Sequence, residues 1–343
     1  MRNLSLILLI FLFSLVSSLA FCQGTGFPSR HWGIGFGNTE RFNGLRFNFI
    51  DKNIEEINGI NLTIWYNKQF EDHTGTFTGL GIGLPVAAGT KNRYGLSAGI
   101  FAAGAGNDLA GFNLAGLAVG AGRNVTGFNV GGLAVGAGKN VTGINLGGLE
   151  VGAGDDVVGL NIGGLVVGAG GEITGINFGG LAVGSGEDIS GISVSLLVVG
   201  SGESIRGLTI AGLVTGAGER VTGINMAGLV VASGESLRGI NIAGLAVGSP
   251  EVRGLNTALV VGGEEVNGLS VAPAYFRITG ENGYMKGVSV SAFNHIKGSQ
   301  HGLAIGIFNY ASDIKGAQIG LLNYVEGNRS GLKLLPIFNA RFD

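Results

Sequence analysis

The chain carries few groups that could do chemistry, and their spacing argues against most of it. Histidine occurs at His31, His73, His295 and His301. They form no HxxxH or H-x-E pair, so the closely spaced ligands of a zinc site are missing. Carboxylates sit in repeated glycine turns, and no Ser–His–Asp set can be assembled from them. Strings such as Gly120-Ala121-Gly122, followed by a charged turn, look like phosphate-cradling loops. A nucleotide site occurs once, between a strand and a helix, whereas this string recurs along the chain with no helical pattern after it. Calcium-binding rolls repeat G-G-x-G-x-D. The turns here instead hold Arg123-Asn124, Lys139-Asn140, Asp155-Asp156 and Glu219-Arg220, whose mixed signs make no calcium ladder. Thr126, Thr142, Thr174, Ser190 and Thr222 could line up as an ice-binding hydroxyl row, but Val158, Arg206 and Arg238 interrupt it, and ordinary strand propensity explains threonine equally well. Asn124 and Asn140 each begin an Asn-Val-Thr glycosylation sequon, which carries little weight in a bacterial-looking chain. No catalytic, cofactor-binding or metal-ligating residue is nominated, and the chain is expected not to be an enzyme.

The elements that would position any such groups follow from composition. Of 343 residues, 68 are glycine and 5 proline, which excludes both a collagen repeat and a Pro/Gly disordered tract. Apolar residues make up 45% and charged residues 13%, so the chain has apolar area to bury and is not disordered by composition. Net charge is −2 with no long basic run, which argues against nucleic acid as a partner.

The first residues read as an export signal. Arg2 gives the positive start, Leu4 to Val16 is apolar apart from serine, and Ser18, Ala20 and Cys22 supply small-residue cleavage patterns. The run is too short to be a convincing membrane-spanning helix. Cys22 is the sole cysteine, so no intrachain disulfide can form. Leu19-Ala20-Phe21-Cys22 is similar to a lipidation box, but Phe21 stands where a small residue belongs; Cys22 is expected to leave with the signal or sit at a frayed N-terminus.

The rest of the chain is a repeat. Glycines recur every 16 residues from Gly79 to Gly239, with looser copies at Gly44 and Gly59 before and at Gly254, Gly268, Gly287, Gly302, Gly316 and Gly331 after. The unit reads G-Φ-N-Φ-G-G-L-x-V-G-x-G-x-x-Φ-T, where Φ is apolar. Its asparagine recurs at Asn113, Asn129, Asn145, Asn161, Asn177, Asn225 and Asn241, and its leucine from Leu117 through Leu133 and Leu165 to Leu245. So many glycines would each cost roughly 1 kcal/mol in a helix, whereas Φ-N-Φ and L-x-V alternate as strands do. A bend at the Gly-Gly pair would turn both apolar sets inward, leucine included. A second bend falls in G-x-G-x-x, where the charges collect. An antiparallel meander would alternate its chemistry every 32 residues, and no such alternation occurs. The expected fold is therefore all-β, a repeat β-solenoid with about 16 residues per coil and strands on two or three faces. The alternative is an antiparallel outer-membrane β-barrel or meander of 16-residue strand-turn units. A spanning strand needs 9–11 residues, but neither side of the unit is polar as a pore strand requires.

Four segments are expected: a signal peptide over 1–22, irregular capping repeats over 23–94, regular repeats over 95–253, and irregular repeats with a cap over 254–343. All tyrosines and tryptophans lie outside Leu96–Val271, which suits bulky aromatics closing the ends.

The segments NGLRFNF, NGINLTIW, the GLNIGGLAVGAG-type array and the ending Leu335-Pro336-Ile337-Phe338-Asn339-Ala340-Arg341-Phe342 resemble a largely uncharacterised group of bacterial surface-repeat proteins with GLxIGLxN repeats and an LPxxNxxF close. The resemblance implies export and a cell-envelope setting, and it carries no catalytic residues. The expected function is a non-catalytic structural or interaction protein of the cell envelope or surface; the residues name no partner, outer-membrane or surface components being the candidates, and no nucleotide or cofactor is expected. The alternatives are a barrel pore and, further off, an ice- or calcium-binding solenoid.

Overall fold

The computed structural model describes residues 24–51, 53–65 and 74–342. The signal segment, Cys22 and His73 lie outside them. Among the described residues the regular elements are all strands. The chain divides into two compact units, Met1–Gly164 and Leu165–Asp343. Each is a β-solenoid of parallel, in-register coils.

One coil shows how the repeat is used. In the first unit, the long strand Asn124–Gly131 pairs in parallel with Asn140–Gly147, placing Val125 on Val141, Gly127 on Gly143 and Asn129 on Asn145. The short strand Ala134–Ala137 pairs in the same way with Glu150–Ala153. In the second unit, Ser204–Ala211 pairs with Arg220–Ala227, and Val214–Ala217 with Val230–Ser233. The 16-residue period is thus one coil. The antiparallel barrel or meander is not how coils neighbour one another in either unit.

Three bends close each coil. The Gly-Gly step, Ala-Gly in several regular coils, separates the long strand from the short one, and the charged G-x-G-x-x turn ends the short strand. The third bend lies inside the long strand, at the glycine that heads each repeat. These glycines have φ of 111–125° from Gly191 through Gly207, Gly223 and Gly239. That conformation is closed to other L-residues. Their backbones also pack closely: a Cβ on Gly191 would stand 2.2 Å from the carbonyl oxygen of Gly175. The sequence period found this column, and the positive φ and close approach explain it.

The core is narrow. Val125, Val135, Val141 and Val151 are fully buried in the first unit, and Ile189, Val199, Val221 and Val231 are at most 1% exposed in the second. Each such side chain contributes roughly 1.5–3 kcal/mol of burial. The inward leucine expected from the repeat is wrong. Leu165, Leu181, Leu197, Leu213, Leu229 and Leu245 are 38–48% exposed and form an outward column at the corner, while the repeat asparagines are fully buried. On either side of the bend at Gly127, Val125, Asn129 and Gly131 are buried, and Thr126, Phe128 and Val130 face outward. A small coil has room for valine, glycine and asparagine, and the larger apolar residues are left outside.

The ends are closed by antiparallel strands, and at the first end the buried Phe42 lies beneath them. At the start of the first unit, Thr25–Ser29 folds against Trp32–Phe36, which pairs in parallel with the coil strand Arg41–Asn48. Trp32 and Trp65 remain more than half exposed, while Phe42 and Phe77 pack with Ile54 and Ile57 in the core. At the end of the second unit, Leu334–Arg341 runs antiparallel to the last coil, pairing Gln318 with Asn339 and Asn323 with Leu335. Gly331 therefore heads no further parallel coil; it lies in the turn before this closing strand. Pro336 lacks an N–H and marks it as an edge strand.

Two pairs of variants test these assignments by chemical denaturation. Val199→Asp should unfold the second unit or cost more than about 4 kcal/mol, whereas Leu197→Asp, two residues away, should cost about 1 kcal/mol or less. Equal losses would contradict the outward leucine. Gly191→Ala should cost about 3 kcal/mol or more, from the positive φ and the carbonyl clash. Gly184→Ala should be nearly neutral, because its added Cβ would have its nearest neighbour at 3.8 Å and Ala232 already fills an equivalent place opposite Gly216.

Candidate functional surface

The interior is organised by a self-satisfying amide ladder. In the first unit, Asn113 Nδ2 donates to Asn129 Oδ1, Asn129 to Asn145 and Asn145 to Asn161, each at 2.8 Å. In the second, Asn225 donates to Asn241 at 3.0 Å and Asn241 to Asn256 at 2.9 Å. A later run passes from Asn294 to Asn309 to Asn323 at 2.7 Å per step. Asn323 then donates to the Leu335 carbonyl at 3.2 Å, so the closing segment terminates the ladder. All donors point the same way along the stack. Consequently the first acceptor of each of these runs, Asn113, Asn225 or Asn294 Oδ1, is buried without a partner.

The first coils replace this ladder with charge. Arg46 stands where later coils place asparagine, and Arg93 where they place valine. Arg46 forms a buried ion pair with Asp51. The Asp51 carboxylate also accepts from Asn48 Nδ2 at 2.8 Å, Asn61 Nδ2 at 3.2 Å and Thr63 Oγ1 at 2.8 Å. The Arg93 guanidinium lies 4.5 Å from the centre of the Phe77 ring, and its Nε donates to Ser97 Oγ at 3.3 Å. Burial pushes its pKa down to about 10, countered in part by the charge of Asp51. Burial lowers Arg46 too, again opposed by Asp51. Gly81 makes room, since a Cβ there would strike Arg93. Sequence reasoning missed this cluster. Charged residues at two inward repeat positions were the available signal.

The features singled out by sequence lie on the polar side of the coil. Thr126 sits over Thr142 and Val158, and Thr174 over Ser190, with Arg206 following, so the hydroxyl row forms and is broken where the sequence breaks it. The sequon residues are engaged in a second, shorter ladder: Asn124 Nδ2 donates to Asp108 Oδ1 at 2.7 Å and Asn140 Nδ2 to Asn124 Oδ1 at 3.1 Å. In the second unit arginines of this side are paired with carboxylates, Arg206 with Asp188 at 2.8 Å and Arg220 with Glu219 at 3.1 Å. Of the histidines, His31 lies near the Arg41 carbonyl, His301 stacks on Tyr284, and His295 meets the Tyr275 hydroxyl at 2.8 Å beside Phe293. Partial burial, with Lys297 and Arg277 nearby, lowers the His295 pKa. The structure does not bring the three described histidines together.

The other side of the coil is apolar and exposed. In the first unit Phe112 stacks on Phe128 with ring centres 4.6 Å apart, and Leu117, Leu133 and Leu149 form the corner column. A shallow groove of about 340 Å³ runs between two such columns, lined by Ile82, Leu84, Ile100, Leu114 and Val130, where Ala98 leaves a dip. In the second unit Ile176, Ile192, Ile224 and Ile240 form an exposed column on the same face as that unit's leucines. This amphipathic division, with paired charges and hydroxyls on one side and uncharged branched side chains on the other, is the chain's candidate working surface. Contiguous exposed apolar area of this kind marks interaction sites.

No family model matches the chain, and neither a curated protein nor a solved structure matches it.

The ladder makes a direct prediction. Asn129→Ala removes a donor and an acceptor at once, leaving Asn113 Nδ2 and Asn145 Oδ1 buried without this partner. The loss should be about 2–4 kcal/mol by denaturant titration. A near-neutral result would show that the ladder contributes nothing to stability.

Proposed function

We propose that the chain is an exported, non-catalytic scaffold of the bacterial cell envelope that acts by presenting a surface. The observation that carries this reading is the exposed apolar side of a solenoid whose stacked backbone is hydrogen-bonded coil to coil. A repeat of this kind gives each column a fixed spacing and little freedom to rearrange, which suits display or adhesion rather than chemistry. Arg46 is paired with Asp51 through one guanidinium nitrogen, and Arg93 rests on the Phe77 ring and donates to Ser97, so these buried charges read as architecture of the first coils. The N-terminal signal pattern and the resemblance to surface-repeat proteins support export and an envelope setting.

Fractionation of the producing cell tests the proposal. The mature protein should lack residues 1–22, appear outside the cytoplasm, and be released from envelope membranes by carbonate or high-salt washing. A cytoplasmic protein retaining its first residues would contradict export. Retention after carbonate with heat-modifiable gel mobility would contradict the scaffold and favour a membrane-embedded pore.

A further inference from the structure

We propose that the apolar side of the Leu165–Asp343 unit is covered by a second copy of this chain, packed flank to flank. The inference rests on the scaffold reading and names the partner of that surface. Leu165, Leu181, Leu197, Leu213, Leu229 and Leu245 form one straight ridge, each 38–48% exposed. The ridge is held coil to coil by backbone bonds such as Leu213 N to Leu197 O and Leu229 N to Leu213 O, both 2.9 Å. With the isoleucine column and, between the two, Phe178, Ile210 and Met226, the face exposes on the order of 1,000 Å², above the ~800 Å² per partner of a standard stable interface. It also exceeds the roughly 300–600 Å² of the largest patch on an ordinary monomer.

Three features favour a copy over a lipid surface. Interfacial membrane contacts use Trp and Tyr; the coils that carry the leucine ridge hold neither, and the unit's tyrosines come only from Tyr275 onward. Anionic headgroups need free cations, whereas in the ridge coils Arg206, Arg220, Arg238 and Arg253 are each paired with a carboxylate. Columns of branched side chains at a strand spacing of about 4.8 Å are self-complementary, so two copies can interdigitate as facing sheets do. Strand addition at the end of this unit is opposed by the closing strand Leu334–Arg341 with its proline, which leaves the flank as the open route.

Sedimentation velocity of the purified protein without detergent tests the pairing. The wild type should self-associate. Leu213→Asp with Leu229→Asp should weaken association by about tenfold or more, and Thr222→Asp on the polar side should leave it unchanged. Far-UV circular dichroism and thermal unfolding establish that each variant is folded. If the aspartate pair does not fold, Leu213→Ser with Leu229→Ser serves in its place, with the same expectation. A monomeric wild type, or folded ridge variants that associate as the wild type does, would overturn the proposal. So would a monomer that binds neutral phosphatidylcholine vesicles through this ridge. These outcomes leave the envelope reading standing, since that reading falls on fractionation instead.

Discussion

In-register parallel stacking is the constraint from which the rest of the structure follows. Each residue sits above and below its own equivalent in the neighbouring coils, as Asn129 does between Asn113 and Asn145. Every position must therefore tolerate itself at the spacing of a β-sheet. Asparagine does so by donating to one copy and accepting from the other. Valine does so by packing. The glycine that heads each coil does so because it has no Cβ to strike the carbonyl beneath it. Like charges tolerate themselves least, and the column Glu187, Glu203, Glu219 and Glu235 accordingly lies in the solvated turn, where water screens repulsion.

The same constraint accounts for the departures. Where a coil abandons the ladder, its neighbours must compensate. Arg46 at an asparagine position is matched by Asp51, and Arg93 at a core position is accommodated by Phe77 beneath it and by the missing side chain of Gly81. Burying charge in this way is costly unless each ion is paired. Near the other terminus, Asn323 would be the last donor with nothing above it, and the Leu335 carbonyl of the closing strand accepts from it. That strand thus does two things: it covers a free edge and it ends a polar chain.

Much of this was legible in the residues. The 16-residue step, the strand alternation and the lack of a 32-residue alternation together led to parallel coils. The charged turn and the asparagine and leucine columns were also visible. What misled was the rule that apolar side chains go inside. The inward side chains of one coil are Val125, Asn129 and Val135, a set whose small size suits a narrow coil. The asparagine is acceptable there because its partner is its own copy in the next coil, a pairing invisible in a single repeat. The exposed face followed from the same misreading: once leucine is outside, the chain has an apolar flank that its own fold does not cover. The Arg46–Asp51–Arg93 cluster is hidden in the sequence because the first coils are irregular in length, with leading glycines at Gly44, Gly59 and Gly79, so no fixed step assigns those positions to the interior.

The central claim is that asparagine and valine face the interior while leucine and the long-strand apolar residues face out. Single cysteines placed along one coil on a Cys22→Ser background, and titrated with a water-soluble thiol reagent, test it most directly. Reaction at positions 128, 130 and 133 with protection at 125, 129 and 135 is the predicted pattern. A reactive position 129 together with a protected position 133, in folded protein, would contradict it.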